Sequence, residues 1–485
     1  MKTKILFPAA LLLFTISFIS CDKAHENGNY YDVIVPTDPY NEKYKDYEEN
    51  PFVKVSEQPI STFSIDADGA SYSNMRRFLY EGQTPPKASV RIEEYVNYFT
   101  FNYREPESNE NVSLESEIAT CPWNGEHYLL RLGLKGKTIP EAQLPNSNYV
   151  FLIDVSGSMA SSNKLGILKA GFKTLTDNLR DNDRIAIVTY AGNAGVLLNS
   201  TSGDEKQKIK RAIDDLDAGG STAGSAGIET AYEIAEKNFI PNGNNRVILG
   251  TDGDFNVGPS STDELVDLIE SKRDKGIYLT VLGVGEGNLN DYMMEQLADN
   301  GNGNFEYIDN AAQIEKVFTN ELAKFYTVAK DAKIQITFDS ALVASYRLIG
   351  YENRSLDNEY FENDSTDAGE IGSTQTITAL YEIVLRSEDA KGKFAQFDFR
   401  YKKPGESVSR LISLNISNSP VNMNTASENM KFAASITGFG LLMKQSEYKG
   451  TLSKQMVLDL GKSALGFDPF GYREEFINLV EDWNQ

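Results

Sequence analysis

Apolar positions change their spacing several times along the chain, and each change marks a different kind of structure. Behind Lys2 and Lys4, residues 5–18 form an apolar run of signal-peptide length, too short to cross a bilayer comfortably. Residues 22–59 show no period. They are polar, rich in tyrosine, asparagine and acidic residues, and read as a tether. Helical spacing follows. Met75, Phe78 and Leu79 share one face of a helix stopped by Gly82 and the Pro85-Pro86 pair, and Ile92, Tyr95, Val96 and Phe99 line a second. Between residues 112 and 136 the pattern turns to strands, with partial alternation in Tyr128-Leu129-Leu130-Arg131-Leu132-Gly133-Leu134.

From residue 148 to about 324 the pattern changes again. Tyr149-Val150-Phe151-Leu152-Ile153, Arg184-Ile185-Ala186-Ile187-Val188-Thr189-Tyr190 and Arg246-Val247-Ile248-Leu249-Gly250-Thr251 are continuous apolar strands, as is the stretch from Ile277 to Val284. Amphipathic helices lie between them, the first carrying Leu165, Leu168, Phe172, Leu175 and Leu179. This alternation predicts an α/β fold: a doubly wound, mostly parallel sheet covered on both faces. In such sheets ligands bind beyond the carboxyl ends of the strands. Strands return after residue 332, as in Ile334-Gln335-Ile336-Thr337-Phe338, and the chain ends in helices, one with Phe432, Ile436, Phe439 and Leu442. The predicted organisation is a leader (1–21), a tether (22–59), a helical plus β-strand region (60–147), the α/β domain (148–324) and a β-rich then helical domain (325–485). The strands of 112–136 and 332–401 are expected to join in one β-sandwich, with the α/β domain inserted between them.

Composition removes several function classes. Of 485 residues 70 are acidic and 47 basic, a formal net charge of −23, which excludes a nucleic-acid groove. Two cysteines exclude a disulfide framework, and two histidines starve most zinc sites and Ser-His-Asp schemes. Gly136-Lys137-Thr138 is not a phosphate loop: Arg131 stands where that motif needs its first glycine, and Pro140 blocks the helix that should follow, so no nucleotide site is predicted. Asp66 and Asp68 before Gly69 begin like a calcium loop but lack its closing Glu, and read as helix capping. Cys121, among apolar neighbours, is expected to be buried.

The leader ends in Phe18-Ile19-Ser20-Cys21. This resembles the lipobox of bacterial lipoproteins, with Phe18 where the motif prefers Leu. The resemblance implies cleavage before Cys21, acylation of its thiol, and a chain anchored by lipid to a bacterial membrane in the cell envelope, periplasmic or surface-exposed.

Three stretches of the α/β domain carry chemistry. The first strand ends in Asp154-Val155-Ser156-Gly157-Ser158, a later connection holds Gly219-Gly220-Ser221-Thr222, and another strand ends in Thr251-Asp252-Gly253-Asp254. Together they offer two carboxylates and three hydroxyls, hard oxygen donors that suit magnesium. The set resembles the metal-ion-dependent adhesion site of the von Willebrand factor type A family, whose pattern is Asp-x-Ser-x-Ser, then a Thr after paired glycines, then an Asp after an apolar strand. The resemblance implies a metal site at Asp154, Ser156, Ser158, Thr222 and Asp252, holding Mg2+, with Ca2+ or Mn2+ as alternatives. It implies direct contacts from Ser156, Ser158 and either Thr222 or Asp252, with the carboxylates acting largely through bound waters. Neutral hydroxyls leave the ion's charge uncancelled, so an acidic side chain of a protein partner can complete its shell. No base stands nearby in sequence, and His25 and His127 lie outside this domain, which points to binding rather than catalysis.

The flanks narrow the family. Phe63-Ser64-Ile65-Asp66, Cys121-Pro122-Trp123-Asn124 and Asp367-Ala368-Gly369-Glu370-Ile371-Gly372 resemble YfbK-type bacterial proteins, and the likeness runs over nearly all of residues 61–483. The expected function is that of a cell-envelope lipoprotein that binds a protein partner. The alternatives are an assembly subunit whose metal only fixes loops, or a metal-dependent hydrolase.

Overall fold

The computed structural model describes residues 41–65, 68–191, 194–219, 224–253, 262–387, 392–417 and 419–483. At its centre is a six-stranded sheet. In spatial order its strands are Phe305–Ile308, Ile277–Val284, Asn244–Thr251, Ser147–Asp154, Arg184–Tyr190 and Ala194–Ser202. Every pair is parallel except the last, which is an antiparallel hairpin at one edge. Ser147–Asp154 and Asn244–Thr251 are buried at every position, because helices cover both faces and leave no solvent side on which to alternate. Ile228, Tyr232, Leu265, Ile269 and Leu297 pack on one face, and Leu168, Phe172, Leu175, Ile209 and Ile213 on the other. The chain leaves Ser147–Asp154 toward the hairpin edge and later returns to its other side. The strand order therefore reverses between Ser147–Asp154 and Asn244–Thr251, the point beyond whose carboxyl ends ligands bind in open sheets of this kind.

The flanks close on each other around this insertion. One antiparallel sheet runs Val53–Lys54, Val343–Ile349, Thr376–Leu385, Tyr128–Gly136, Val112–Thr120, joining the early strands to the late ones. The facing sheet is Gly369–Gly372, Thr327–Phe338, Lys393–Lys402 and Arg410–Ser417, with Ile60–Ser64 paired to Thr327–Phe338. Leu130, Leu132, Leu134, Ile377 and Ile383 of the first sheet share a core with Ile334, Ile336, Phe397 and Phe399 of the second, so the expected sandwich is formed. The outer face of the first sheet is also covered: Leu129, Ile349 and Leu380 pack into a helical core. Burial on both faces explains why alternation in Tyr128–Gly136 is only partial.

That helical core is built from both ends of the chain. Ala70–Tyr80 and Ile92–Asn97 supply Tyr72, Met75, Tyr95 and Val96, and Glu428–Lys444, Lys454–Lys462 and Tyr472–Asp482 supply Phe432, Ile436, Phe439, Val457 and Phe476. Glu428–Lys444 is apolar nearly all round and is buried accordingly, Leu441 more deeply than Leu442. Ser427 caps it, its hydroxyl accepting from Met430 N at 3.1 Å. Cys121 is buried in this core as expected, and burial pushes its thiol well above the ordinary range.

Two sequence expectations need correction. Residues 41–59, expected as the end of the tether, are packed. Tyr44 is buried, the Glu42 carboxylate accepts from Arg77 at 2.9 Å, and Val53–Lys54 joins the sandwich, so burial and pairing here outweigh a disordered composition. Asp68 does not cap Ala70–Tyr80. Its carboxylate accepts from Phe305 N at 3.0 Å, tying the helix entrance to the edge of the central sheet. Cys21, Asp66 and Thr222 lie outside the described residues.

Buried guanidinium groups join the bundle to the inserted domain. Arg76 chelates Asp309 at 2.7 Å from both Nε and Nη2, and also reaches Tyr98 and Glu475. Arg91 Nη1 donates to Asp291 Oδ2 at 2.5 Å. Breaking such a pair from one side strands a carboxylate out of water. Arg76→Ala is therefore expected to cost about 3–5 kcal/mol, measured as a lower midpoint in urea denaturation with a probe in the inserted domain.

Candidate metal-binding site

The site begins with the strand ends at the reversal point. Asp154 closes Ser147–Asp154 and is fully buried. Its Oδ1 accepts from Ser156 N at 2.9 Å, and its Oδ2 accepts from Tyr190 and Thr251 hydroxyls at 3.3 Å each. The first bond folds the chain back on itself, so Ser156 and Ser158 stand side by side with their Oγ atoms 3.0 Å apart. The short turn Gly157–Ala160 is pinned from below by Met159, which is buried in the sheet's core. Ser156 is buried and Ser158 exposed, which gives the pair an inner and an outer hydroxyl. Burial, with the Asp252 charge adding to it, pushes the Asp154 carboxyl above its usual range against the pull of the Ser156 and Thr251 hydrogen bonds.

Asp252 follows Asn244–Thr251 and is also fully buried. Burial would raise its carboxyl too, but the Lys164 ammonium, the Asn288 amide and the Ser158 hydroxyl hold it below the usual range. Lys164 Nζ donates to Asp252 Oδ2 and to Asn288 Oδ1, at 2.9 Å each. The turn after Asp252 needs a glycine. Gly253 has φ +102°, and a Cβ there would lie 2.4 Å from Asn290 N. The third stretch arrives by a backbone bond, Gly219 N donating to Val155 O at 2.7 Å. Asp154, Ser156, Ser158 and Asp252 thus form one continuous hydrogen-bonded group at the sheet edge, and the chain leading to Thr222 is tied to it.

The donor chemistry fits a hard divalent cation: two neighbouring hydroxyls beside two buried carboxylates, with Lys164 as the ammonium that meets one of them. Lys164 itself was not legible as part of the site. From sequence it reads, like Asn163 and Arg246, as a surface or packing residue, and nothing in the spacing tells which way a lone lysine turns. Arg246 fits the packing reading, donating to Thr280 Oγ1 at 2.7 Å and to Phe325 O at 3.1 Å. His127 lies in the sandwich, its Nδ1 2.5 Å from Glu382 Oε1.

A second acidic group lies elsewhere, where the inserted domain meets the sandwich. Asp331, Asp367 and Glu370 bring carboxylate oxygens within 4.8 Å of one another. Its charges already have partners. Lys402 holds Asp331 at 2.6 Å, Arg273 holds Asp367 at 2.7 Å, and the Asn302 amide donates to Glu370.

Comparison with family models agrees with this architecture. Residues 148–320 match the model of the von Willebrand factor type A domain, residues 38–131 a model described as von Willebrand factor, and residues 323–485 the model of the C-terminal part of the uncharacterized protein YfbK. Among solved structures, a von Willebrand factor type A protein from Catenulispora acidiphila aligns over 77% of this chain and 91% of its own, at 17% identity and a TM-score of 0.44. The ArnB paralog VWA2 from Sulfolobus acidocaldarius aligns over 77% and 97%, at 14% identity and a TM-score of 0.38. The fold and the family model together define a von Willebrand factor type A protein, a class of domains that generally binds protein partners. The uncharacterized protein YfbK of Escherichia coli is 40% identical over 470 residues, 91% of this chain and 81% of its own. The chain belongs to the YfbK family.

The Gly253 geometry yields a direct test. Gly253→Ala is expected to lower stability by about 1–3 kcal/mol, seen as a reduced thermal midpoint, because the turn carrying Asp252 has no room to move away from Asn290.

Proposed function

We propose that this protein is a cell-envelope lipoprotein, anchored through Cys21, that captures an acidic side chain of a protein ligand through a divalent ion. The ion, magnesium first and calcium or manganese as alternatives, would be held by Asp154, Ser156, Ser158, Thr222 and Asp252. The observation that carries the reading is the pair of Ser156 and Ser158 hydroxyls, 3.0 Å apart, beside two buried carboxylates at the strand-order reversal. A bound divalent ion supplies an electrophilic coordination position that a partner's carboxylate can fill.

The chain's own residues do the remaining work. Asp154 holds the loop closed from inside through Ser156 N, so the hydroxyls, rather than carboxylates, present the outer donors. Ser158 sits at the exposed rim, where a partner can approach. The formal charge of −23 opposes acidic partners at long range. That repulsion is screened beyond ~8–10 Å at physiological ionic strength, which leaves contact to local charge.

Cross-linked pull-down from envelopes, with and without chelator, tests the binding. Asp154→Ala and Thr222→Ala are each expected to reduce divalent-dependent capture by at least about tenfold, the loss of one charge-assisted contact, with unfolding in chelator little changed for Thr222→Ala. Capture that persists undiminished in chelator counts against the reading. For the anchor, Cys21→Ser is expected to abolish metabolic labelling with fatty acid and release the chain from the membrane pellet. A variant that stays labelled removes Cys21 as the lipid site.

A further inference from the structure

The adhesion-site pattern names five oxygen donors and no cation, yet a lysine reaches into this site. Lys164 belongs to the wide helical turn Ser162–Gly166 and is buried, 8% exposed. Its ammonium lies 2.9 Å from Asp252 Oδ2 and 2.9 Å from Asn288 Oδ1. The side chain is channelled there. Gly285, at φ +73°, gives it passage: a Cβ at that position would meet Lys164 Cγ and Cε at 2.4 Å. The loop that carries Asn288 is fixed from two sides. Tyr307 OH donates to Gly285 O at 2.7 Å, and residues 42 and 43 hold its crest, with Gly287 N donating to Glu42 Oε1 at 2.9 Å and Lys43 N to Leu289 O at 2.8 Å.

We infer that Lys164 is a built-in counter-cation that sets the charge balance of this site, weakening its hold on a divalent ion while leaving the loaded site with surplus positive charge for an anionic ligand. The inference rests on the metal-binding reading above. The charge count is simple: Asp154 and Asp252 contribute −2 and Lys164 +1, so the site alone carries −1 and carries +1 with a divalent ion bound. Without Lys164 the loaded site would be neutral. An ammonium bonded to Asp252 also competes with the ion for that carboxylate and repels it across a short, partly dry distance. The same positive surplus favours a carboxylate from outside over a neutral oxygen donor. Lys164 is thus a positioning and tuning residue, while the oxygen donors hold the ion.

The test is a titration of the purified full-length chain with Mn2+ alone, counting free Mn2+ by electron paramagnetic resonance, for the wild type, Asp154→Ala, Lys164→Met and Lys164→Arg. The wild type is expected to show one saturable class of sites that Asp154→Ala removes. Lys164→Met is expected to bind Mn2+ roughly 10–100-fold more tightly, and Lys164→Arg, which keeps the charge, to stay within about threefold of wild type. Lys164→Gln keeps a donor for Asp252 and is expected to tighten binding in the same sense, which covers the case in which Lys164→Met does not fold. Wild-type binding sensitive to Asp154→Ala, but unchanged or weaker in both neutral variants, overturns the role of Lys164 and leaves the metal site standing. Absence of any Asp154-dependent binding overturns the metal reading itself, and this inference with it.

Discussion

A carboxylate removed from water must be met by hydrogen-bond donors or by a cation, and that constraint organises this protein. Asp154 and Asp252 sit fully buried at adjacent strand ends and are met in different ways. Asp154 is surrounded by neutral donors from Ser156, Tyr190 and Thr251, and its carboxyl is pushed up. Asp252 is met by an ammonium and is pushed down. One strand-order reversal thus carries two carboxylates of opposite electrostatic character, and the hydroxyls of Ser156 and Ser158 lie between them in the hydrogen-bond chain.

The same rule holds the parts together. Asp309 and Asp291 on the inserted domain are answered by Arg76 and Arg91 from the helical bundle. Arg354 from the sandwich reaches Glu295 and Asp299 on the helix Asp291–Asn300. These joints use planar guanidinium forks, which match carboxylates in direction as well as charge. Their rigidity suits an insertion whose two ends return to a common base, where Ser147 and Tyr326 share a 2.9 Å hydrogen bond. Glu42 and Lys43 bond to the loop bearing Asn288, so the first described residues and the cation beside Asp252 share one set of contacts.

Legibility followed the range of the physics. The doubly wound sheet was readable because burial on both faces writes continuous apolar runs, as in Ser147–Asp154 and Asn244–Thr251. The donors of Asp154-x-Ser156-x-Ser158 were readable because a single tight turn brings them together, leaving little for tertiary structure to decide. The packing of Tyr44 and Val53–Lys54 was not readable, since a polar segment is ordered here by partners such as Arg77 and Val343–Ile349 that lie far along the chain. Asp68 shows the same failure at short range. Its local sequence argues for a helix cap, but Phe305 N, remote in sequence, offers the bond it makes.

What the sequence by itself determined, then, was the apolar strands and amphipathic helices at the centre of the α/β domain, the order in which they alternate, and the grouping of Asp154, Ser156 and Ser158 in one tight turn, because periodicity and tight turns act within a few residues. Tertiary structure alone decided that both ends of the chain share one helical core, and that the sandwich sheet between them is covered on both sides. It also decided that Lys164 turns inward to Asp252, because the direction of a long flexible side chain depends on what waits at its end: here a buried carboxylate, an amide, and a glycine that leaves room for the stem.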